Sequence, residues 1–132
     1  MAFRVEISPE AFENLDTIAA YIQERGSFDS AKRWFNGIIA AIRSLQDMPR
    51  RCPLAEESTE LEAELHFLLH GKGNRRYKVY FSIHDESETV RVFHVRHWAM
   101  KPVETDELED LMNESTDSRS DPEGNNLRDD YA

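Results

Sequence analysis

The sequence has little of what several protein classes depend on. It contains one cysteine, Cys52, in 132 residues, so it can form neither an internal disulfide nor a Cys-x-x-Cys pair for zinc or redox chemistry. No apolar run approaches the roughly 18 residues that a membrane span requires. The N-terminus also lacks the long apolar stretch of a secretion signal. With five glycines and five prolines, the composition predicts a globular, cytoplasmic protein without membrane contact.

Negative charge is concentrated at one end of the chain. Residues 1–103 contain fourteen basic residues (Lys and Arg) and fifteen acidic residues (Asp and Glu). Residues 104–132 contain two basic and eleven acidic residues. The first part is therefore nearly neutral, and its basic residues can gather locally. We expect one folded domain over residues 1–112, ending in a short helix. Residues 113–132 carry too few apolar side chains to offset an ordering cost of about 1–2 kcal/mol per residue, and are predicted to be an acidic disordered tail.

The first part of the folded region has the pattern of a strand followed by two helices. Residues 3–7 alternate apolar and charged side chains, and Ser8-Pro9-Glu10 is typical of a helix start. Apolar residues then recur at steps of three and four, which predicts a first helix over 9–25 and a second from about 27–30 to just before Pro49. Together they form an αα-hairpin.

The remainder of the folded region has the period of β-strands. Residues 49–60 show no periodicity and are predicted to be a connection, and residues 61–69 and 77–83 then alternate between an apolar and a polar face. The apolar content of residues 89–98 predicts a central strand, buried on both faces. The predicted fold class is α+β, in the order β-α-α-β-β-β, with a mostly antiparallel sheet packed against the α-helical hairpin.

This order, with two basic segments in the sheet, resembles the ParE/RelE superfamily of toxins. The segments are Arg76-Tyr77-Lys78 at the start of the third strand and Arg96-His97 at the end of the last. The resemblance covers residues 2–103 and implies the toxin half of a type II toxin–antitoxin (plasmid stabilisation) pair, without cofactor. RelE-like members cleave messenger RNA in the ribosome, whereas ParE-like members inhibit DNA gyrase by binding it. A partner antitoxin neutralises both kinds, and the long helical hairpin is more similar to the ParE side.

The resemblance also implies candidate site residues. Metal-free RNA cleavage needs cations at the phosphate and a group that moves a proton near neutral pH. Lys78 matches a position where RelE-like toxins often hold arginine. The final motif of the family often reads Arg-His-Gly-Ala-Arg, whereas this chain has Trp98 for the glycine and Met100 for the second arginine. The candidate catalytic residues are therefore Lys78, Arg96, His97 and Lys101, and the candidate binding residues are Arg75, Arg76 and Trp98.

The five histidines all lie between residues 66 and 97. His66 and His70 share one strand face about 13 Å apart, too far for one metal ion, and no carboxylate or cysteine stands at ligand spacing, so no metal site is predicted. His97 is the best placed for proton transfer, with a structural role as the alternative. Arg50 and Arg51 either extend the basic patch or are simply exposed, and Trp34 and Phe35 are interpreted as core residues, one of which could instead dock a partner.

Three functions stay open at this point. The first is a toxin that binds gyrase or the translating ribosome, and the second is a ribosome-dependent endoribonuclease. The third is a non-toxic interaction module whose acidic tail folds back on the basic patch. All three require Lys78, Arg96 and Lys101 to lie on one surface.

Overall fold

A computed structural model describes residues 2–99, 105–114 and 119–120. The helices and strands follow the order β1 (Arg4–Ile7), α1 (Pro9–Arg25), α2 (Phe28–Arg43), α3 (Glu57–Leu61), β2 (Leu65–His70), β3 (Tyr77–His84), β4 (Thr89–His97), α4 (Thr105–Glu114) and β5 (Arg119–Ser120). Short 3-10 turns lie at Ser44–Gln46, Pro49–Arg51 and Gly73–Arg75. The predicted α+β class is confirmed. No helix among the described residues is both long and apolar enough to span a membrane.

The two long helices begin where their capping residues predict. The Ser8 hydroxyl accepts a hydrogen bond from the Ala11 amide at 3.1 Å, and the Ser27 hydroxyl accepts one from the Ser30 amide at 3.0 Å. Each bond satisfies an amide that has no partner inside its helix. The helix α1 ends at the predicted residue, Arg25.

The sheet has the strand order β2-β3-β4-β1-β5. Strand β1 pairs with β4 in parallel, and the other neighbours are antiparallel. Strand β4 lies between β3 and β1, so its predicted central position is confirmed. The pairing of β1 with β4 covers residues 89–92 of β4 and does not extend along the rest of that strand. It ends there because the chain turns into α1 directly after Ile7.

Each face of the sheet has its own apolar core. The hairpin face packs against α1 and α2 through buried side chains that include Phe12, Leu15, Phe35, Ile38, Val79 and Phe81. The outer face is partly covered by α3 and α4. Its smaller core comprises Ala55, Leu65, Tyr80, Phe93, Leu108 and Leu111. The core residues Leu108 and Leu111 anchor α4, so the predicted terminal helix is present.

The region before β2 differs from the prediction. Residues 57–61 form the helix α3, and β2 begins at Leu65, not at residue 61. Glu62 adopts φ 55° at the end of α3, which breaks the strand alternation. The predicted polar face of β2 is also wrong, because His66 is 4% exposed and Leu68 packs against the hairpin core.

The predicted boundary between domain and tail lies at residue 112. Helix α4 continues to Glu114, and Arg119–Ser120 pair with β1 as β5. The other residues of the predicted tail, 115–118 and 121–132, lie outside the described residues.

Candidate functional site

Two of the predicted site residues meet on the outer face of the sheet. Lys78 of β3 and Arg96 of β4 are directly opposite each other in the antiparallel ladder. Side chains at such positions project from the same face, with Cβ atoms about 5 Å apart. The Lys78 ammonium also lies 5.1 Å from the centroid of the Phe67 ring. We call Lys78 and Arg96 the outer-face pair. It places two cations on one face, and the lysine lies beside an aromatic ring.

His97 does not join this pair. It is opposite Tyr77 in the ladder, and the two rings are 5.4 Å apart on the hairpin face. One ring nitrogen, Nε2, lies 2.6 Å from the Asn74 carbonyl oxygen, and the other, Nδ1, accepts a hydrogen bond from the Ala99 amide at 3.1 Å. Because Nε2 must donate to the carbonyl, this arrangement fits a neutral imidazole with both nitrogens in use. The predicted grouping of His97 with Lys78 is therefore wrong. His97 and Arg96 do line one cavity of about 550 Å³, but the hydrogen bonds of the His97 ring fit the structural alternative.

The candidate binding residues lie at the end of the sheet. The Arg76 guanidinium stacks on the Trp98 ring at 4.2 Å, and its Nε donates to the Gly73 carbonyl at 2.8 Å. Trp98 is half-buried by this contact. Arg75 is exposed in the turn before β3 and lines a cavity on the hairpin side. The predicted single patch is thus divided between two faces, and Lys101 lies outside the described residues.

Arg50 and Arg51 do not extend the outer-face pair. The Arg50 guanidinium makes bidentate contacts with Glu64 and Asp85 at 2.8–3.2 Å. Arg51 donates to the backbone carbonyls of Ser44, Asp47 and Met48. The hydrogen bonds from Arg50, followed by the one from His66, lower the pKa of Glu64 to about 2. These arginines therefore hold the connection before β2 in place.

Three buried polar residues beneath the outer face were missed by the sequence prediction. The Tyr80 hydroxyl donates to a Glu57 carboxylate oxygen at 3.1 Å, and His94 lies beside Tyr80 with ring centroids 5.9 Å apart. Desolvation, followed by the nearby Arg96 charge, lowers the pKa of His94 to about 4. Burial, followed by the Glu57 charge, raises the pKa of Tyr80. All three side chains are less than one-tenth exposed.

A β-bulge explains why His94 was missed. The register of β3 and β4 shifts so that Tyr80 faces His94 and Phe81 faces Val92, with Phe93 left as the extra residue. Simple alternation would place His94 on the same face as Val92. After the bulge, Val95 lies on the hairpin face and His94 on the outer face. Neither strand contains a glycine or proline that could have marked the bulge.

Two further predictions concern metal binding and the aromatic residues of α2. In the part of the chain that the structure describes, no three His, Cys, Asp or Glu side chains are grouped to hold a metal ion. Phe35 is fully buried, as predicted, whereas Trp34 is half-buried and packs edge-to-face on Tyr77 at 5.3 Å.

Comparison with models of known protein families agrees with the resemblance seen in the sequence. No curated protein matched the chain. Among solved structures, a mutant of the E. coli toxin RelE in the free state is similar, with 13% identity, a TM-score of 0.47, and 88% of this chain and 96% of that chain covered. The model of the family described as the ParE toxin of the type II toxin–antitoxin system, parDE, matches residues 5–102. The chain therefore belongs to the ParE toxin family of type II toxin–antitoxin systems.

Proposed function

We propose that this chain is a growth-inhibiting toxin that binds DNA gyrase in the cytoplasm and is silenced by a partner antitoxin. The family match supports the toxin class and implies an antitoxin. The observation that carries the choice of binding over catalysis is the outer-face pair. Lys78 and Arg96 can meet an acidic partner surface, whereas the histidine and tyrosine side chains near them are buried or hydrogen-bonded, and the one described carboxylate that lines a cavity with Arg96, Glu107, is exposed to solvent.

The three nearby histidine and tyrosine side chains are each buried or hydrogen-bonded to another group. His97 lies on the opposite face with both ring nitrogens in hydrogen bonds. His94 is 8% exposed and has a pKa of about 4, so it is a weak base at neutral pH. The Tyr80 hydroxyl is bonded to Glu57 and its pKa is raised. Cations without a proton shuttle bind anions but do not complete RNA cleavage.

An induction experiment in growing cells tests this proposal. The readouts are plasmid supercoiling and the integrity of ribosome-bound messenger RNA after the protein is induced. We expect growth arrest with relaxed plasmid and intact messenger. The double variant Lys78→Gln/Arg96→Gln should lift the arrest at equal protein level.

The matched control is Arg4→Gln/Arg43→Gln, which removes the same charge away from the outer-face pair and should leave the arrest unchanged. Intact supercoiling in arrested cells would contradict gyrase as the target. Arrest that persists in Lys78→Gln/Arg96→Gln would show that the outer-face pair is not the inhibitory surface.

Messenger cleavage is the second candidate function. The proximity of Phe67 to Lys78 favours it. An RNA base can stack on an aromatic ring while the cation beside the ring binds the phosphate of the same nucleotide. Cut messenger with normal supercoiling would select this function. Growth without arrest, supercoiling change or cleavage would select the non-toxic interaction module.

A further inference from the structure

A second basic site lies away from the outer-face pair. It is a cleft between the turn that joins α1 to α2 and the turn that joins β2 to β3. Two adjoining cavities of about 740 and 340 Å³ form the cleft and share Ile22, Ser30, Arg75 and Tyr77 as lining residues. We call it the hairpin cleft. Neither Lys78 nor Arg96 lines it.

The hairpin cleft is lined by cations without carboxylates. Arg25, Arg33, Lys72 and Arg75 all line it, and none of the Asp and Glu residues that the structure describes does. None of these four cations forms an ion pair with another described residue. Like charges gathered without counter-charges repel one another. An anion bound in the cleft would relieve this repulsion.

Aromatic rings stand beside these cations. Tyr77 forms the floor, Trp34 packs on it edge-to-face, and Tyr21 is 52% exposed with the Arg25 guanidinium 4.6 Å from its ring centroid. The indole nitrogen of Trp34 is buried and, among the described residues, has no hydrogen-bond partner. Rings and guanidinium planes stack on nucleobases, whereas cations alone would suffice for an acidic peptide.

We infer that the hairpin cleft binds a single-stranded nucleic acid. Arg33, Lys72 and Arg75 hold its phosphates, and Tyr21 or Trp34 receives a base. Each cavity, at about 740 and 340 Å³, is within the range of small-ligand sites of about 300–1,000 Å³, which leaves room for a nucleotide. This inference concerns different residues from the outer-face pair, and it holds whichever target that pair serves.

Fluorescence of Trp34 tests the inference directly. The full chain carrying Trp98→Phe retains Trp34 as its one tryptophan. It is titrated with single-stranded oligothymidylate and oligouridylate of about 12 nucleotides, a length within the usual site range. We expect saturable quenching that weakens as salt rises, because bound phosphates release counterions.

Two triple variants in that background separate the cleft from general charge. Arg33→Gln/Lys72→Gln/Arg75→Gln should weaken binding at least tenfold and reduce the slope of log affinity against log salt by about 2. The control Arg4→Gln/Lys32→Gln/Arg43→Gln removes the same charge from residues that do not line the cleft, and should stay within about threefold of the parent. Circular dichroism confirms that both variants fold.

Three outcomes would overturn the inference. The first is the absence of quenching at low salt by either oligonucleotide. The second is an equal loss of affinity in both triple variants, which would indicate general charge attraction. The third is tighter binding of poly-glutamate than of the oligonucleotides, which would assign the cleft to an acidic protein segment.

Discussion

His94 shows how a single register shift changes the chemistry of a residue. The bulge at Phe93 turns its side chain onto the outer face, beneath α4 and beside Arg96. Burial there favours the neutral imidazole, and the neighbouring guanidinium favours it further. The imidazole of His94 is therefore uncharged at neutral pH, although it lies near Arg96. This is why the outer face is suited to binding an anionic surface and poorly suited to exchanging protons.

The lowered pKa of His94 predicts a pH-dependent stability. In the unfolded chain the imidazole takes up a proton below about pH 6.5, whereas in the folded chain it does so only near pH 4. Protons therefore favour the unfolded chain in this window, and the free energy of unfolding should fall by about 2 kcal/mol between pH 7 and pH 5. Urea unfolding at the two pH values measures the change.

The variant His94→Phe is the matched control for this prediction. It keeps a ring in the same place but has no ring nitrogen that can take up a proton. Its loss of stability between pH 7 and pH 5 should therefore be much smaller. Burial also lowers the pKa of His70 and His84, so part of the decrease should remain. An equal loss in His94→Phe and the parent chain would contradict the assignment to His94.

At the scale of elements, helix α4 is attached to the outer face of the sheet by few side chains. It is anchored on the sheet by Leu108 and Leu111, which pack with Tyr80 and Phe93. Leu108 is fully buried, and Glu109, the next residue, is exposed. The helix is therefore held by a narrow apolar stripe.

Truncating Leu108 should weaken this attachment. We expect Leu108→Ala to lower the free energy of unfolding by about 2–4 kcal/mol, because it leaves a cavity in the outer core. Glu109→Ala, the exposed control, should change it by less than about 0.5 kcal/mol. Urea unfolding of both variants measures the difference. A change below about 1 kcal/mol for Leu108→Ala would show that α4 does not pack as described.

The elements differ in how well the sequence predicted them. The starts of α1 and α2 were predictable because Ser8 and Ser27 act within three residues of themselves. The start of β2 was not, because Leu61 and residue 63 continue an alternation that the left-handed backbone at Glu62 interrupts. The bulge at Phe93 depends on packing between distant strands, so no local pattern in β4 indicates it.

At the scale of the whole molecule, basic residues form two separate surfaces on a net acidic chain. The sequence predicted that Lys78 and Arg96 would lie together because both match the basic segments of the family, but Arg96 reaches the face of Lys78 only through the bulge at Phe93. It did not predict the hairpin cleft, where Arg25 and Arg33 of the helices meet Lys72 and Arg75 of a turn about 40 to 50 residues later in the chain. That contact is set by how the hairpin packs on the sheet.

The two surfaces allow separate roles in one small protein. Arg96 of the outer-face pair lines a cavity with Glu107 of α4, whereas the hairpin cleft opens at the end of α1 and the start of α2. Variants of one surface should leave the other unchanged, because the two share no lining residue. Gyrase inhibition and oligonucleotide binding are therefore expected to be lost independently.

The most direct test of the central claim is a supercoiling assay with purified DNA gyrase and the purified full chain. We predict inhibition that saturates with the parent protein, and a half-inhibitory concentration at least tenfold higher for Lys78→Gln/Arg96→Gln. The charge-matched Arg4→Gln/Arg43→Gln variant should inhibit like the parent. Full supercoiling in the presence of the parent protein, or equal inhibition by Lys78→Gln/Arg96→Gln, would contradict the claim that the outer-face pair binds gyrase.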